Sequence, residues 1–435
     1  MNNWLKKDLK YIWHPYTQMQ GYESILIERA QGIKLYDNKG NFYYDTISSW
    51  WCNVHGHNHP KINQALKNQL DSLEHVLFAG FTHKPAIRLA EKLISLTVPN
   101  FSKVFFSDNG STAVETALKI SFQYWQNINV KNKKKFVCLD YGYHGDTFGA
   151  MSVSGISRFN QVFSPLLFET YKIPSPYCYR CPMKKKYPAC NIDCINPLEE
   201  LLKEKNEEIC GLILEPLVLA AGGMIVYPKE YLKKVSQLCL RYNLHLILDE
   251  VATGFGRTAK MFAYQYIDDI KPDFLCLSKG ITAGYLPLGA TLTTEEIYKA
   301  FLGDDNKTFY HGHTYTANPI CCAVALASLE IFEKEKPLQR IKKVIHVFHK
   351  NLEKLRNLPL VGDVRYIGLI GGIELELFNS KKNLTLRIYK EGLKNQLILR
   401  PLGNVIYFFL PLSIKEEEII IILEKTYDII RKLEV

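Results

Sequence analysis

The run Leu246-Ile247-Leu248-Asp249-Glu250-Val251 is apolar until it reaches two acids, and a glycine-rich stretch, Thr253-Gly254-Phe255-Gly256-Arg257-Thr258, follows it. Further along, a second short apolar run ends in Leu277-Ser278-Lys279-Gly280. If both runs are strands of a parallel α/β sheet, Asp249 and Lys279 stand at strand carboxyl ends, where such sheets bind ligands. An acid and an amine at that address suit pyridoxal 5′-phosphate (PLP). The lysine would hold the cofactor as a Schiff base, and the acid would keep its pyridine nitrogen protonated so that the ring draws electrons. Taken singly, Lys279 reads more readily as a surface lysine after a strand. The pairing is what points to chemistry.

Two further segments have the same topological address. Ser107-Asp108-Asn109-Gly110-Ser111-Thr112 lies between an apolar run and an amphipathic helix. A helix N-terminus offers free N–H groups and partial positive charge to a phosphate, and Gly110 would let the backbone come close. An ordinary N-cap explains the same residues. Tyr141-Gly142-Tyr143-His144-Gly145-Asp146-Thr147 also follows an apolar run. An aromatic there could lie on a cofactor ring, or simply pack.

The elements that must position these residues can be traced along the chain. Val104-Phe105-Phe106, Phe136 to Leu139, Gly211 to Leu214, Leu244 to Leu248 and Phe274 to Leu277 read as strands, apolar at every position. That pattern suits a sheet covered by helices on both faces. A helix from Ser111 to about Asn127 carries Val114, Ala117, Leu118, Ser121, Phe122 and Trp125 at three- and four-residue spacing, predicting one buried face. The alternation implies an α/β domain with a mostly parallel sheet over residues 61–335. Beyond it, residues 336–435 read as a smaller α+β domain, with strands at Ile370 to Leu375 and Val405 to Phe409 and a last helix from Lys415 to Leu433. Residues 1–60, with a hairpin at Gly32 to Asp37 and Asn41 to Asp45, are expected to pack onto that smaller domain.

The segment from Leu248-Asp249-Glu250-Val251 through Gly254-Phe255-Gly256-Arg257-Thr258 to Ser278-Lys279-Gly280 resembles the signature of the class III PLP-dependent aminotransferases. The resemblance extends over nearly the whole chain. Trp13-His14-Pro15-Tyr16-Thr17-Gln18-Met19, Ser49-Trp50-Trp51, Tyr143 to Thr147 and Leu399 to Tyr407 look like the branch of that family that transaminates 8-amino-7-oxononanoate in biotin biosynthesis. The resemblance implies a fold type I transferase with a large and a small domain, working as a homodimer with shared active sites. It implies that Lys279 is the Schiff-base lysine and proton shuttle, that Asp249 pairs with the pyridine nitrogen, and that Tyr143 lies against the ring. Gly110 and Ser111 would hold the phosphate, joined by Thr314, with His313 beside it, from the neighbouring subunit. Tyr16, Trp51, Tyr143, Gly312 and Arg400 would line the substrate pocket, and the guanidinium of Arg400 suits a carboxylate held bidentately. Core packing for Tyr16 and Trp51 and a structural ion pair for Arg400 are the plain alternatives. The branch most often uses S-adenosylmethionine as amino donor. His313 stands where those enzymes usually have proline, which leaves lysine open as the donor. Another class III ω-aminotransferase is the rival reading.

Composition narrows the partners. The 435 residues carry a net charge of +10, but the basic residues are scattered and the densest runs are Lys133 to Lys135 and Lys184 to Lys186. Neither a nucleic-acid partner nor a membrane is expected, and small anionic substrates suit the excess charge. Eleven cysteines, several within apolar runs, suggest reduced thiols and a cytoplasmic protein. The first residues lack the apolar core of a signal peptide, and no apolar run is long enough to span a bilayer. Cys178, Cys181, Cys190 and Cys194, within an expected loop at 175–197, have two, eight and three residues between them. They could hold a structural zinc tetrahedrally or remain four reduced thiols, and the reaction itself calls for no metal. A zinc-stabilised nucleic-acid-binding module built on this loop is the non-enzymatic alternative.

Overall fold

Seven strands form the central sheet in the computed structural model, which describes residues 2–376 and 384–433. Their order is Phe101–Ser107, Gly289–Thr294, Phe274–Leu277, His245–Asp249, Ile209–Leu214, Lys135–Leu139 and Tyr171–Ile173. All pairs are parallel except those made by Gly289–Thr294, which runs against both of its neighbours. Every residue of Ile209–Leu214, His245–Asp249 and Phe274–Leu277 is buried, as expected of strands with both faces covered.

The helix Gly110–Asn127 packs along the sheet and is buried around most of its circumference. Val114, Ala117, Leu118, Ser121 and Trp125 are buried as their spacing predicts. Phe122 is not: it is 40% exposed. It lies on the same outward stripe as Glu115 and Lys119, three and four residues apart, so the open side of this helix includes an aromatic ring.

A second, antiparallel sheet of Val361–Ile367, Ile370–Leu375 and Val405–Phe409 is backed by the helices Pro337–Leu355 and Glu416–Leu433. The hairpin Lys34–Asp37 and Phe42–Tyr44 gains a third strand at Ile27–Gln31. The chain after it is bonded to the C-terminal part: Tyr44 N–H donates to Gln396 O at 2.8 Å, Phe409 N–H to Thr46 O at 2.8 Å and Leu412 N–H to Val54 O at 2.8 Å. No helix among the described residues is long and apolar enough to cross a membrane.

Candidate active site

Asp249 is the last residue of its strand, and Lys279 follows the neighbouring strand by two residues, at the start of a 3₁₀ turn. Both line one cavity of about 650 Å³ at the carboxyl edge of the parallel strands, together with Gly110, Ser111, Tyr143 and Trp51. The volume is that of a small-molecule site. Lys279 takes a left-handed backbone, φ 44°, which a side-chain-bearing residue rarely adopts.

The carboxylate of Asp249 is held from two sides. Val251 N–H donates to Oδ1 at 3.0 Å, and His144 Nδ1 donates to Oδ2 at 2.7 Å. Both side chains of the His144–Asp249 pair are buried. Glu215 lies on the same wall, taking N–H bonds from Tyr143 at 3.1 Å and Ala220 at 2.9 Å. Burial, and then the nearby charge of Asp249, push its carboxyl up to about 8. Burial lowers the Lys279 ammonium from its usual value, against the pull of Asp249 and Glu215. Its Nζ stands 4.5 Å from the centre of the Trp51 indole. An amine that loses its proton more readily is the better nucleophile.

At the helix N-terminus, Asn109 and Thr112 form a reciprocal capping box. The cap and the first helical bond account for the amides of Thr112 and Ala113, while Gly110 and Ser111, one step earlier, line the cavity. Glycine at 110 has a packing reason besides anion access, because a Cβ there would come within 2.5 Å of the Val251 side chain. Ser111 Oγ shares a 2.8 Å hydrogen bond with Thr147 Oγ1, which joins the helix start to the loop after Leu139.

Tyr143 carries its hydroxyl to 3.1 Å from that of Tyr16, and Tyr16 donates to Asp146 Oδ2 at 2.5 Å. Burial and the bond to Asp146 push the Tyr16 phenol up to about 12, so it stays protonated as a donor. Tyr16 also meets Trp50 edge-on at 5.4 Å, and the Arg400 guanidinium lies 4.1 Å over the Trp50 ring. No carboxylate pairs with Arg400 among the described residues. Trp51 is both wall and core: it lines the cavity and stacks on Phe409 at 5.4 Å.

Tyr16 and Arg400 thus stand outside the cavity wall, linked to it through Tyr143 and Trp50. Gly312 and Thr314 are exposed, in an irregular segment beyond that wall, with His313 half-buried between them. Within one chain the structure does not bring these three to Lys279.

Four contributors escaped the sequence reading. His144 and Asp146 lie inside the Tyr143 motif, but nothing local says that one holds Asp249 and the other Tyr16. Glu215 follows the strand Ile209–Leu214 and had the right address to be found. Arg257 is fully buried and donates to Ser48 Oγ at 3.0 Å, Leu410 O at 2.9 Å, Trp51 O at 3.1 Å and Asn53 O at 2.8 Å. It pins four consecutive left-handed residues, Ser48 to Trp51, that place both tryptophans.

The donor set fits PLP: a buried carboxylate for a protonated ring nitrogen, an amine, and a helix start suited to an anion all line one cavity. The aminotransferase class-III family model matches residues 16–430. The chain is 47% identical to an adenosylmethionine-8-amino-7-oxononanoate aminotransferase of Geobacter sulfurreducens, over 95% of this chain and 94% of that one. It is 44% identical to the same-named protein of Aquifex aeolicus, over 99% and 97%. The crystal structure of the Methanocaldococcus jannaschii protein of that name superposes with a TM-score of 0.93 at 44% identity, covering 99% of this chain and 98% of that one. An omega transaminase of Pseudomonas jessenii superposes as well, TM-score 0.93, at 30% identity over 100% and 99%.

Proposed function

Because the chain belongs to the class III aminotransferases, which work with PLP, we propose that it moves an amino group from S-adenosylmethionine to 8-amino-7-oxononanoate, yielding 7,8-diaminononanoate for biotin biosynthesis. The observation that carries this reading is the joint arrangement of Tyr16, Tyr143 and Asp146 beside the Asp249–Lys279 cavity, in a chain whose relatives bear that name. When bound, PLP would supply the electron sink that amino-group exchange between donor and acceptor needs.

Lys279 would hold the cofactor through Nζ and, as a free amine, would move the proton at the substrate carbon. Its depressed basicity lets the neutral amine accept that proton. Asp249 pairs with the ring nitrogen. His144, bonded to Oδ2, fixes the orientation of that carboxylate. The amides of Gly110 and Ser111 and the Ser111 hydroxyl hold the phosphate, Thr314 of a second copy completes that site, and His313 lies beside it. Exposed aromatic rings at Phe122, Tyr310 and Tyr315 around that segment suit burial in a homodimer.

Tyr143 lies against the ring and borders the substrate. Arg400, which has no acidic partner among the described residues, binds the carboxylate of the oxo acid. Trp51, Gly312 and Tyr16 line the pocket, and the Tyr16 phenol helps to distinguish donor from acceptor.

The test is a single-turnover half-reaction. Mixing the holoenzyme with S-adenosylmethionine should bleach the visible band of the bound cofactor, and adding 8-amino-7-oxononanoate should restore it. Bleaching by lysine alone would move the donor assignment to lysine. Bleaching by neither would overturn the acceptor assignment as well.

A further inference from the structure

Away from this site, Cys178, Cys181, Cys190 and Cys194 all line one small cavity, with Pro176 and Ile192 among its other walls. Its volume, about 10 Å³, is that of a single water-sized sphere. Apolar and thiol walls suit water poorly, since a buried water wants two to four good polar partners. They suit a soft cation well.

The Tyr231 hydroxyl, buried near Cys194, has no hydrogen-bond partner among the described residues. A neutral thiol accepts weakly, whereas a metal-bound thiolate would take that proton as a strong acceptor. Lys185 lies within electrostatic reach of Cys190 and Cys181 while paired with Asp193. The backbone is also held under strain: Lys184, Asn191 and Ile192 all take left-handed φ, of 53°, 50° and 61°. For the β-branched Ile192 that is an outlier needing support.

This segment bridges two parts of the fold. Arg180 Nε donates to Glu374 Oε1 at 2.6 Å, the hydroxyls of Tyr177 and Tyr179 donate to Glu374 and Glu376, and Lys234 Nζ donates to Asn191 O at 2.9 Å. Glu374 belongs to the C-terminal sheet, and Lys234 to the helix Lys229–Arg241 that packs beside the central one.

We propose that the four sulfurs bind one zinc ion, which fastens residues 175–197 as a strap between the central domain and the C-terminal sheet. The thiols are not a ready-made ligand set, since among the described residues no group of three or more is arranged to hold a metal. Zinc–sulfur bonds of about 2.3 Å require them to swing inward. Cys178 is exposed and the other three are half-buried; Cys194 stands in the short 3₁₀ helix Asp193–Ile195 and the others on irregular backbone. Binding releases the four thiol protons and leaves a doubly negative centre, which Lys185 and the Tyr231 hydroxyl help to offset.

Holoenzyme purified without chelator should contain about one zinc per chain by plasma mass spectrometry. Cobalt(II) in its place should give tetrahedral bands in the red, clear of the cofactor's absorption. Cys190→Ser should lose both signals. Chelation should lower the melting temperature and open residues 175–197 to protease while leaving the cofactor band intact. Wild-type protein without bound zinc or a cobalt signal, a Cys190→Ser variant that keeps full zinc, or disulfides found among the four cysteines would overturn the site. Should the serine variant not fold, the wild-type cobalt spectrum decides alone. Metal whose removal moves neither melting nor proteolysis would overturn the strap.

Discussion

His144 donates from Nδ1 to Oδ2 of Asp249 across 2.7 Å, and both side chains are buried. Because Val251 N–H occupies the other carboxylate oxygen, Asp249 is held as an acceptor on both sides and cannot turn away from the cavity. A hydrogen bond to a charged group contributes about 1.5–3 kcal/mol. His144→Phe should therefore weaken cofactor retention roughly 10- to 100-fold, measured by titrating the apoenzyme with PLP and following protein fluorescence. An unchanged dissociation constant would mean that the histidine only fills space.

The amine at 279 predicts a covalent outcome that does not depend on turnover. Borohydride reduction of the holoenzyme should leave a phosphopyridoxyl mass increment on the peptide holding Lys279 and on no other. Lys279→Ala should show none, while still binding PLP loosely through the Asp249 and Ser111 ends of the site. Label on a different lysine in the wild-type protein would refute the assignment.

Asp249 and Lys279 were legible because each ends a short apolar run, and strand ends are local features of a sequence. The strand Phe274–Leu277 begins and ends where apolar texture does, and Val405–Phe409 begins with it. What escaped is what local pattern does not encode. An apolar run does not report its direction, so the antiparallel course of Gly289–Thr294 shows only in its pairing. The side chain that holds Asp249, His144, and the partners of Arg257 lie more than a hundred residues away along the chain. Nothing in Ser48-Ser49-Trp50-Trp51, which lacks glycine, announces a left-handed turn. Phe122 fits the apolar stripe in the sequence, but the structure turns it outward beside Lys119.

That left-handed turn rests on Arg257. Its guanidinium satisfies three buried carbonyls as well as the Ser48 hydroxyl, and a buried acceptor left unpaired costs about 1–3 kcal/mol. Arg257→Met keeps most of the volume and removes every donor. It should destabilise the enzyme by at least about 3 kcal/mol, read from chemical denaturation, and shift the fluorescence of Trp50 and Trp51. Arg257→Lys should recover only part of the loss, since one ammonium cannot span four acceptors in a plane.

Glu215 predicts how stability responds to pH. Its folded value is pushed up to about 8 from an ordinary 4.5 by burial and by Asp249. Between those values the folded chain keeps a proton that the unfolded chain has released, so stability falls as pH rises through that window. Glu250, pushed up to about 7 by burial, acts in the same direction. Glu215→Gln is neutral throughout and its amide oxygen can still accept from Tyr143 or Ala220. Between about pH 5 and pH 8 its melting temperature should decline less steeply than that of the wild-type apoenzyme, with Glu250 and Asp273, the latter also pushed up to about 7 by burial, contributing to the residual slope. Parallel curves for the two proteins would mean that Glu215 is already ionised in the fold, with Lys279 as its counter-charge.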